Sequence, residues 1–360
     1  MMDYNLFGNS DLNVSKYALG TVMFSTNGLE EAGAMDQATA NYMVDYALDQ
    51  GINNFDTANM YAKGDAEVIF GKAIRDKRQD MIISSKKGFQ LIDKPTDTGA
   101  LINVDSSIDA LLKRLGTDYI DLYYVHCWDG QVAVSETVQE MNDLIKKGKI
   151  RHWGVSDYNG WALAKTHTWA VENNMIPPIA QQIYYTPESR EAEYEILPAG
   201  KELGIANSIR SPLGEGLLTG KFTRNKMFEP GTRKENGWPE TYIKNPNLFY
   251  SLIDLLQDVA SKHKATVPQV VLAWLRDRPN VDSIILSPRT KEQLHENIES
   301  YNLKLTNDDI SQINDLTALE PIYPSWHRAM NTLDRASNAE KVYLDEYIKL
   351  MDRKNQTGEH

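Results

Sequence analysis

The sequence predicts an α/β fold: a closed (β/α)8 TIM barrel with a long loop after the seventh strand and a C-terminal helical tail. Three observations carry this. Amphipathic helices that stop at a glycine are followed by short apolar strands. Eight such strands can be counted, most of them about 30 residues apart, the size of a strand–helix unit. The alternation itself demands parallel strands, because a parallel crossover needs a dozen or more residues. Eight units close a barrel at about 250 residues plus insertions, and the chain has 360. A doubly wound sheet is the competing architecture. It gives no reason for eight units and would usually bring a glycine fingerprint after its first strand.

The core strands are expected near 17–22, 52–56, 81–86, 119–126, 152–156, 179–184, 205–210 and 283–286. Taken in order, Leu48-Asp49-Gln50-Gly51 leads into the apolar Ile52-Asn53-Asn54-Phe55. Residues 105–115 place Ile108, Leu111, Leu112 and Leu115 on one helical face. Gly116 then stops that helix, since glycine adopts a left-handed cap without steric cost. Tyr119 to Val125 follows as a strand. Residues 136–147 align Val138, Met141 and Ile145, stop at Gly148, and give way to Ile150-Arg151-His152-Trp153-Gly154-Val155. Leu203-Gly204 leads into Ile205 to Ile209. Residues 221–248, rich in Pro, Gly, Asn and charge, read as the long loop, either a lid or a surface insertion. Residues 338–352 carry Tyr343, Tyr347 and Leu350 at helical spacing. That helix is expected to cap a barrel end, with docking on a second subunit as the alternative. No linker or low-complexity tract divides the chain, so residues 1–360 read as one domain, with a core of about 15–320 and a tail of 321–360.

Composition narrows the partners. The chain is 41% hydrophobic and 24% charged, which suits one large globular core. Its 38 basic and 50 acidic residues give a net charge of −12. No basic excess exists to neutralise nucleic acid or an anionic membrane, although a local pocket for one small anion stays open. The single cysteine, Cys127, cannot form an intramolecular disulfide and points to a reducing, cytoplasmic compartment. The start of the chain lacks a basic segment followed by an apolar run. No apolar stretch approaches the ~20 residues of a membrane helix.

Several tempting motifs fail on spacing. Gly214 to Gly220 reads GxGxxxG, one residue too long for a dinucleotide fingerprint, and follows the seventh strand. Gly220-Lys221-Phe222 lacks the hydroxyl that a phosphate loop needs. His126 and Cys127 are adjacent in an extended segment and point to opposite faces. The seven histidines show no metal-ligand spacing.

The strand ends are more informative, because a (β/α)8 barrel builds its active site there. They carry Asp56 with Tyr61 in the following loop, Lys86 and Lys87, His126, Ser156-Asp157, Gln182 with Tyr185, and Arg210-Ser211. Each alone has a bland reading as a turn, a solvated charge or packing. Together on one rim they form a proton-donating centre. A phenol with pKa ~10 is a weak acid at neutral pH. A neighbouring cation stabilises its phenolate and is expected to lower that value. An Asp keeps the Lys charged, and a His can bond a substrate carbonyl oxygen. Such a centre suits reactions in which oxygen gains or loses a proton as carbon gains or loses hydride.

At this point the residues resemble the aldo-keto reductase family. Gly51 to Tyr61, through Asp56-Thr57-Ala58-Asn59-Met60-Tyr61, is similar to the segment around that family's catalytic Asp and Tyr, and Glu67 to Ala73 continues it. Ser85-Lys86-Lys87-Gly88 resembles its lysine segment, and Leu115 to His126 its histidine segment. Gly154-Val155-Ser156, Gln182 with Tyr185, Ser211-Pro212-Leu213 through Lys221, and Ile285 to Asn297 resemble its cofactor-facing segments. The resemblance covers about residues 3 to 320. It implies a nicotinamide cofactor, usually NADPH with NADH as the alternative, held without a Rossmann domain. It implies Tyr61 as general acid, Lys86 and Asp56 tuning it, and His126 orienting the carbonyl. Ser156, Asp157 and Gln182 would meet the carboxamide. Arg210, Ser211, Leu213, Gly216, Leu217 and Lys221 would line the cofactor. Arg289 would pair with the adenosine 2′-phosphate, with Gln293, Glu296 and Asn297 around the adenine.

Two departures stand out. Asp157 occupies the usual place of an Asn, and a carboxylate cannot donate hydrogen bonds. Arg210 occupies the usual place of an aromatic that stacks on nicotinamide, although a guanidinium plane can also stack. Phe24, Phe89 and Trp128 in the rim loops, with Trp326 in the tail, suggest an aromatic-walled pocket for a small carbonyl compound. The leading expectation is a carbonyl reductase. The alternatives are a nicotinamide-binding regulatory or channel-partner subunit with little turnover, against which the intact Asp56, Tyr61, Lys86 and His126 set argues, and a non-redox barrel enzyme. Aldehydes, ketones and sugars, and the oligomeric state, are left open.

Overall fold

The barrel strands lie where hydrophobic patterning puts them. A computed structural model describes residues 2–25, 35–88, 104–226, 243–320 and 322–357. In chain order the elements begin with β1 (Tyr4–Leu6), β2 (Asn13–Ser15) and β3 (Tyr17–Gly20). Next come α1 (Gln37–Asp49), β4 (Asn54–Asp56), α2 (Asp65–Ile74), β5 (Ile82–Lys87) and α3 (Val104–Leu115). The chain continues through β6 (Ile120–Val125), α4 (Val134–Lys146), β7 (Ile150–Ser156), α5 (Gly160–Glu172), β8 (Ala180–Tyr184), α6 (Ile196–Glu202) and β9 (Ala206–Arg210). It ends with α7 (Pro246–His263), α8 (Val267–Arg276), β10 (Ser283–Leu286), α9 (Lys291–Glu299), α10 (Asn307–Leu316), α11 (Ser325–Asn331) and α12 (Asn338–Thr357).

Strands β3 to β10 close into one barrel in sequence order, β10 pairing with both β9 and β3. All eight pairings are parallel. The register aligns the ends that matter: Gly20 with Asp56, Asp56 with Ser84, and Ser156 with Gln182. Gly154 has a packing reason. A Cβ there would meet the Tyr124 ring at 2.7 Å inside the barrel.

The predicted helix stops also hold. Gly116 and Gly148 adopt φ of +64° and +70°, the left-handed region that glycine enters without cost. Ile108, Leu111 and Leu115 of α3 and Val138 and Met141 of α4 are buried against the strands, while Ile145 is half-buried. A capping box at Thr266 and Gln269 starts α8, whose Val270, Val271 and Trp274 enter the core.

The antiparallel hairpin β1–β2 was not anticipated. Its strands have three residues each, and β1 is exposed throughout, so no alternation marks them. Its turn carries the apolar part. Phe7, Leu12 and Val14 pack with Leu122, Tyr124, Ile179 and Ala206 at the lower end of the barrel. The backbone at Asn9 bonds Gly204, just before β9. With that end sealed, the barrel opens at the C-terminal ends of its strands.

Two expectations are corrected. The long loop ends earlier than 248: Pro246 opens α7, and the Asn245 side chain accepts from the Leu248 N–H as its cap. Residues 227–242 of that loop lie outside the described residues. The tail helix does form, over Asn338–Thr357, but it lies along the barrel flank rather than capping an end. Tyr343 and Tyr347 are buried, and α12 packs on α6 and on α11. Tyr343 donates to the Pro279 carbonyl at 3.0 Å. Among the described residues, no helix is long and apolar enough to cross a membrane.

Candidate active site

The end of β4 and the loop after it converge on Lys86. Lys86 is the penultimate residue of β5, with its side chain fully buried. Its Nζ donates to Asp56 Oδ2 at 2.5 Å, to the Thr57 carbonyl at 2.9 Å and to Tyr61 Oη at 3.2 Å. An ammonium has three N–H bonds, and all three are used. Asp56 accepts twice more on Oδ1, from Ser84 Oγ at 2.9 Å and from Gln182 Nε2 at 2.9 Å. The carboxylate is therefore paired and hydrogen-bonded, as a buried charge requires. Tyr61 stands at the start of a short 3-10 turn, Tyr61–Gly64, whose Ala62 and Lys63 are left-handed. That tight turn brings the phenol back over β5.

The electrostatics sort the protons. Burial pushes the Tyr61 hydroxyl above the ordinary phenol range, outweighing the opposing pull of Lys86. The sequence-based expectation of a lowered phenol is corrected accordingly: here burial and Asp56 outweigh Lys86. Burial also penalises the Lys86 ammonium, yet Asp56 and Tyr61 outweigh it and hold Lys86 above its ordinary value. His126 follows β6 and is nearly buried. Burial, then Lys86 and Arg210, lower it from 6.5 to about 3. Its ring is neutral at physiological pH and carries one N–H.

That shift makes a stability prediction. The folded-state value, about 3, lies below the unfolded value of 6.5. Between them the unfolded chain binds the extra proton, so stability falls as pH drops through that window. His126→Gln should remove up to about 1.4 kcal/mol of stability loss per pH unit there. Urea titrations of both proteins at intervals between pH 6.5 and 4 check it, and parallel curves would refute it.

The remaining predicted residues divide. Ser156 ends β7 fully buried, and its Oγ has no hydrogen-bond partner among the described residues. Thr21 and Thr57, at the ends of β3 and β4, have equally orphaned buried hydroxyls. Asp157 and Arg210, the two departures, meet each other: Arg210 Nε donates to Asp157 Oδ1 at 3.1 Å, with the guanidinium over the Tyr184 ring. Asp157 and Ser211 are both left-handed, so the chain turns sharply after β7 and after β9. Ser211 Oγ donates to Glu215. Leu213 and Gly216 are half-buried, Leu217 sits in the core, and Lys221 is exposed.

At the far side, Arg289 precedes α9 and is half-buried, its backbone N–H donating to Gln293 Oε1 at 2.8 Å. Asn297 is buried, and Glu296 Oε1 accepts from Thr266 Oγ1. Glu296 is thus tied to the α8 cap.

The aromatic wall is partly corrected. Trp128 meets Tyr158 and Trp161 edge-on, at 5.1 and 5.3 Å, and this cluster flanks the mouth after β6 and β7. Phe24 is 1% exposed and belongs to the main core, so it packs rather than lines an open pocket. Tyr185 points out of the barrel, its hydroxyl donating to Glu193 Oε1. Trp326 is an exposed tail residue. Phe89 lies outside the described residues. Sequence reading missed Ser84, and it named Thr57 and Glu67 within the signature segment without giving either a contact. Buried Glu67 accepts from Arg114 Nε at 2.6 Å and Ser85 Oγ at 3.0 Å, behind Lys86. A Glu in the first turn of a helix reads as solvated, so its place in the signature segment gave no sign of its buried contacts. Among the described residues no cluster of metal-ligating side chains occurs.

A buried ammonium–carboxylate pair joined to a half-buried phenol, beside a neutral imidazole on the rim of an eight-stranded barrel, defines a barrel oxidoreductase. The chain belongs to the aldo/keto reductase family, whose model matches residues 16–318. Carbonyl reduction with NAD(P)H is typical of its members. The chain is 31% identical to the uncharacterized oxidoreductase YrpG of Bacillus subtilis, over 88% of this chain and 96% of that protein. It is 31% identical to the aldo-keto reductase YhdN of the same organism, over 90% and 97%. It is 30% identical to a putative voltage-gated potassium channel subunit beta of Schizosaccharomyces pombe, over 90% and 96%.

Proposed function

We propose that this protein reduces an aldehyde or ketone to the alcohol with NADPH, using Tyr61 as the general acid. The observation that carries this reading is the buried Lys86 ammonium joining Asp56 to Tyr61. When bound, the nicotinamide supplies the hydride. The residues present fit it. The orphaned hydroxyl of Ser156 can donate to a carboxamide oxygen, and those of Thr21 and Thr57 offer further polar contacts. Asp157, a carboxylate, accepts from an amide NH2 rather than donating. Gln182 has its NH2 on Asp56, leaving its carbonyl oxygen for the same group.

The proposed steps of the chain's own residues draw on this geometry. Neutral His126 donates its N–H to the substrate oxygen and fixes the carbonyl over Tyr61. As negative charge grows on that oxygen, Tyr61 passes its proton to it. Lys86 stabilises the phenolate left behind, and Asp56 keeps Lys86 charged and aimed. The Trp128–Tyr158–Trp161 cluster favours an apolar substituent and helps exclude water.

A paired NADPH and NADH assay over aldehydes, ketones and sugars tests the reading. Steady NADPH oxidation with at least one carbonyl class is expected. Tight NADPH binding without turnover would instead favour a regulatory subunit, the reading that the channel-subunit relative supports. Arg289 is the proposed 2′-phosphate partner. Arg289→Ala should weaken NADPH about ten- to a hundredfold and leave NADH nearly unchanged, as loss of a charged hydrogen bond would. Cofactor titrations followed by Trp fluorescence check it, and equal losses for both cofactors would remove the assignment.

A further inference from the structure

The tail helix reaches a buried ion network that touches the active-site wall from outside. Glu346 of α12 accepts from Arg278 Nη1 at 3.0 Å and from Arg190 Nη2. Both arginines also grip Glu193. Arg190 donates from Nε and Nη2 at 2.8 Å each, and Arg278 from Nη2 at 2.9 Å. Two guanidinium groups face two carboxylates, so the charge balances only with Glu346 in place. Arg190, Glu193 and Arg278 are all nearly inaccessible. Losing one carboxylate would strand a buried cation, which is far costlier than losing a surface pair.

Tyr185 joins this network to the site. It receives Arg278 Nε at 2.9 Å and donates to Glu193 Oε1. It directly follows β8, three residues after Gln182. Side chains alternate along a strand, so Tyr185 anchors the end of β8 from outside while Gln182 meets Asp56 inside. The tail is thus connected to the carboxylate that holds Lys86.

We propose that Glu346 is a positioning residue for the active site: with Arg278 and Arg190 it fixes the Tyr185 end of β8, and so the Gln182–Asp56 hydrogen bond. The kinetic part rests on the reductase reading above; the structural part does not. Glu346→Gln keeps the size and removes the charge. Glu346→Ala removes both and leaves room for a small carboxylate. In each, backbone amide exchange across 180–186 should quicken, and kcat should fall about tenfold at little change in KM for NADPH, as a small misplacement of catalytic groups would cause. Formate should restore much of the lost kcat in Glu346→Ala but not in Glu346→Gln, and Glu346→Asp should retain most of it. A lower melting temperature with unchanged kcat and unchanged exchange at 180–186 would overturn the proposal and leave a purely structural tail. An inactive wild-type protein would refute the reductase reading alone, and the exchange measurement would still decide this one.

Discussion

Tyr61→Phe should lower carbonyl reduction by roughly 10²–10⁴-fold, the usual contribution of a positioned general acid. The substitution removes one oxygen and little else. Lys86 keeps Asp56 and the Thr57 carbonyl as partners, so the buried charge stays paired. The ring still packs against the core. Ser156 and Arg289, the proposed cofactor contacts, belong to other strands and loops. The loss should therefore fall on kcat, with NADPH quenching of Trp fluorescence unchanged. In the wild type, kcat/KM should stay level through neutral pH and decline only above the ordinary phenol range, because burial raises Tyr61. Full turnover in the variant would end the assignment.

The barrel was legible because its signals are local and repeated. Each helix face and glycine stop points to a following strand, and eight repeats leave few architectures. The rim residues were legible for a related reason: in a parallel barrel every strand ends at the same face. What stayed hidden depends on contacts between distant parts of the chain. The β1–β2 hairpin has no periodicity of its own and exists because Phe7 and Leu12 seal the barrel floor. Phe24 sits in a rim segment yet turns inward, a choice made by core packing. The pairing of Asp157 with Arg210, 53 residues apart, cannot be read from either residue. The phenol's shift had the wrong sign because proximity of a cation is visible in sequence, whereas the depth of burial that opposes it is not. Glu346 gave no signal at all, since a Glu on a tail helix ordinarily faces water.

The second large effect is expected at Lys86 and Asp56, and it separates stability from catalysis. Asp56→Asn leaves a buried ammonium with only neutral partners, and Lys86→Met leaves a buried carboxylate held by Ser84 and Gln182. Breaking a buried pair from one side costs about 3–5 kcal/mol. The two variants should not be equal. The stranded carboxylate keeps two donors, whereas the stranded ammonium keeps only neutral acceptors, the Thr57 carbonyl, the Tyr61 oxygen and the introduced amide oxygen. Asp56→Asn is therefore expected to be the less stable near neutral pH and to recover part of its stability at alkaline pH, where Lys86 can lose its proton. The double variant removes both charges, so its loss should be well below the sum of the singles, a coupling beyond about 1 kcal/mol. Denaturant unfolding of all four proteins closes that cycle. Catalysis should follow a different order: the double variant, though it loses less stability than the singles sum to, stays as inactive as Lys86→Met, because Tyr61 then lacks the Lys86 cation that stabilises its phenolate. Additive stability losses would mean that the pair is not coupled. Activity returning with stability would mean that Lys86 serves the fold and not the proton.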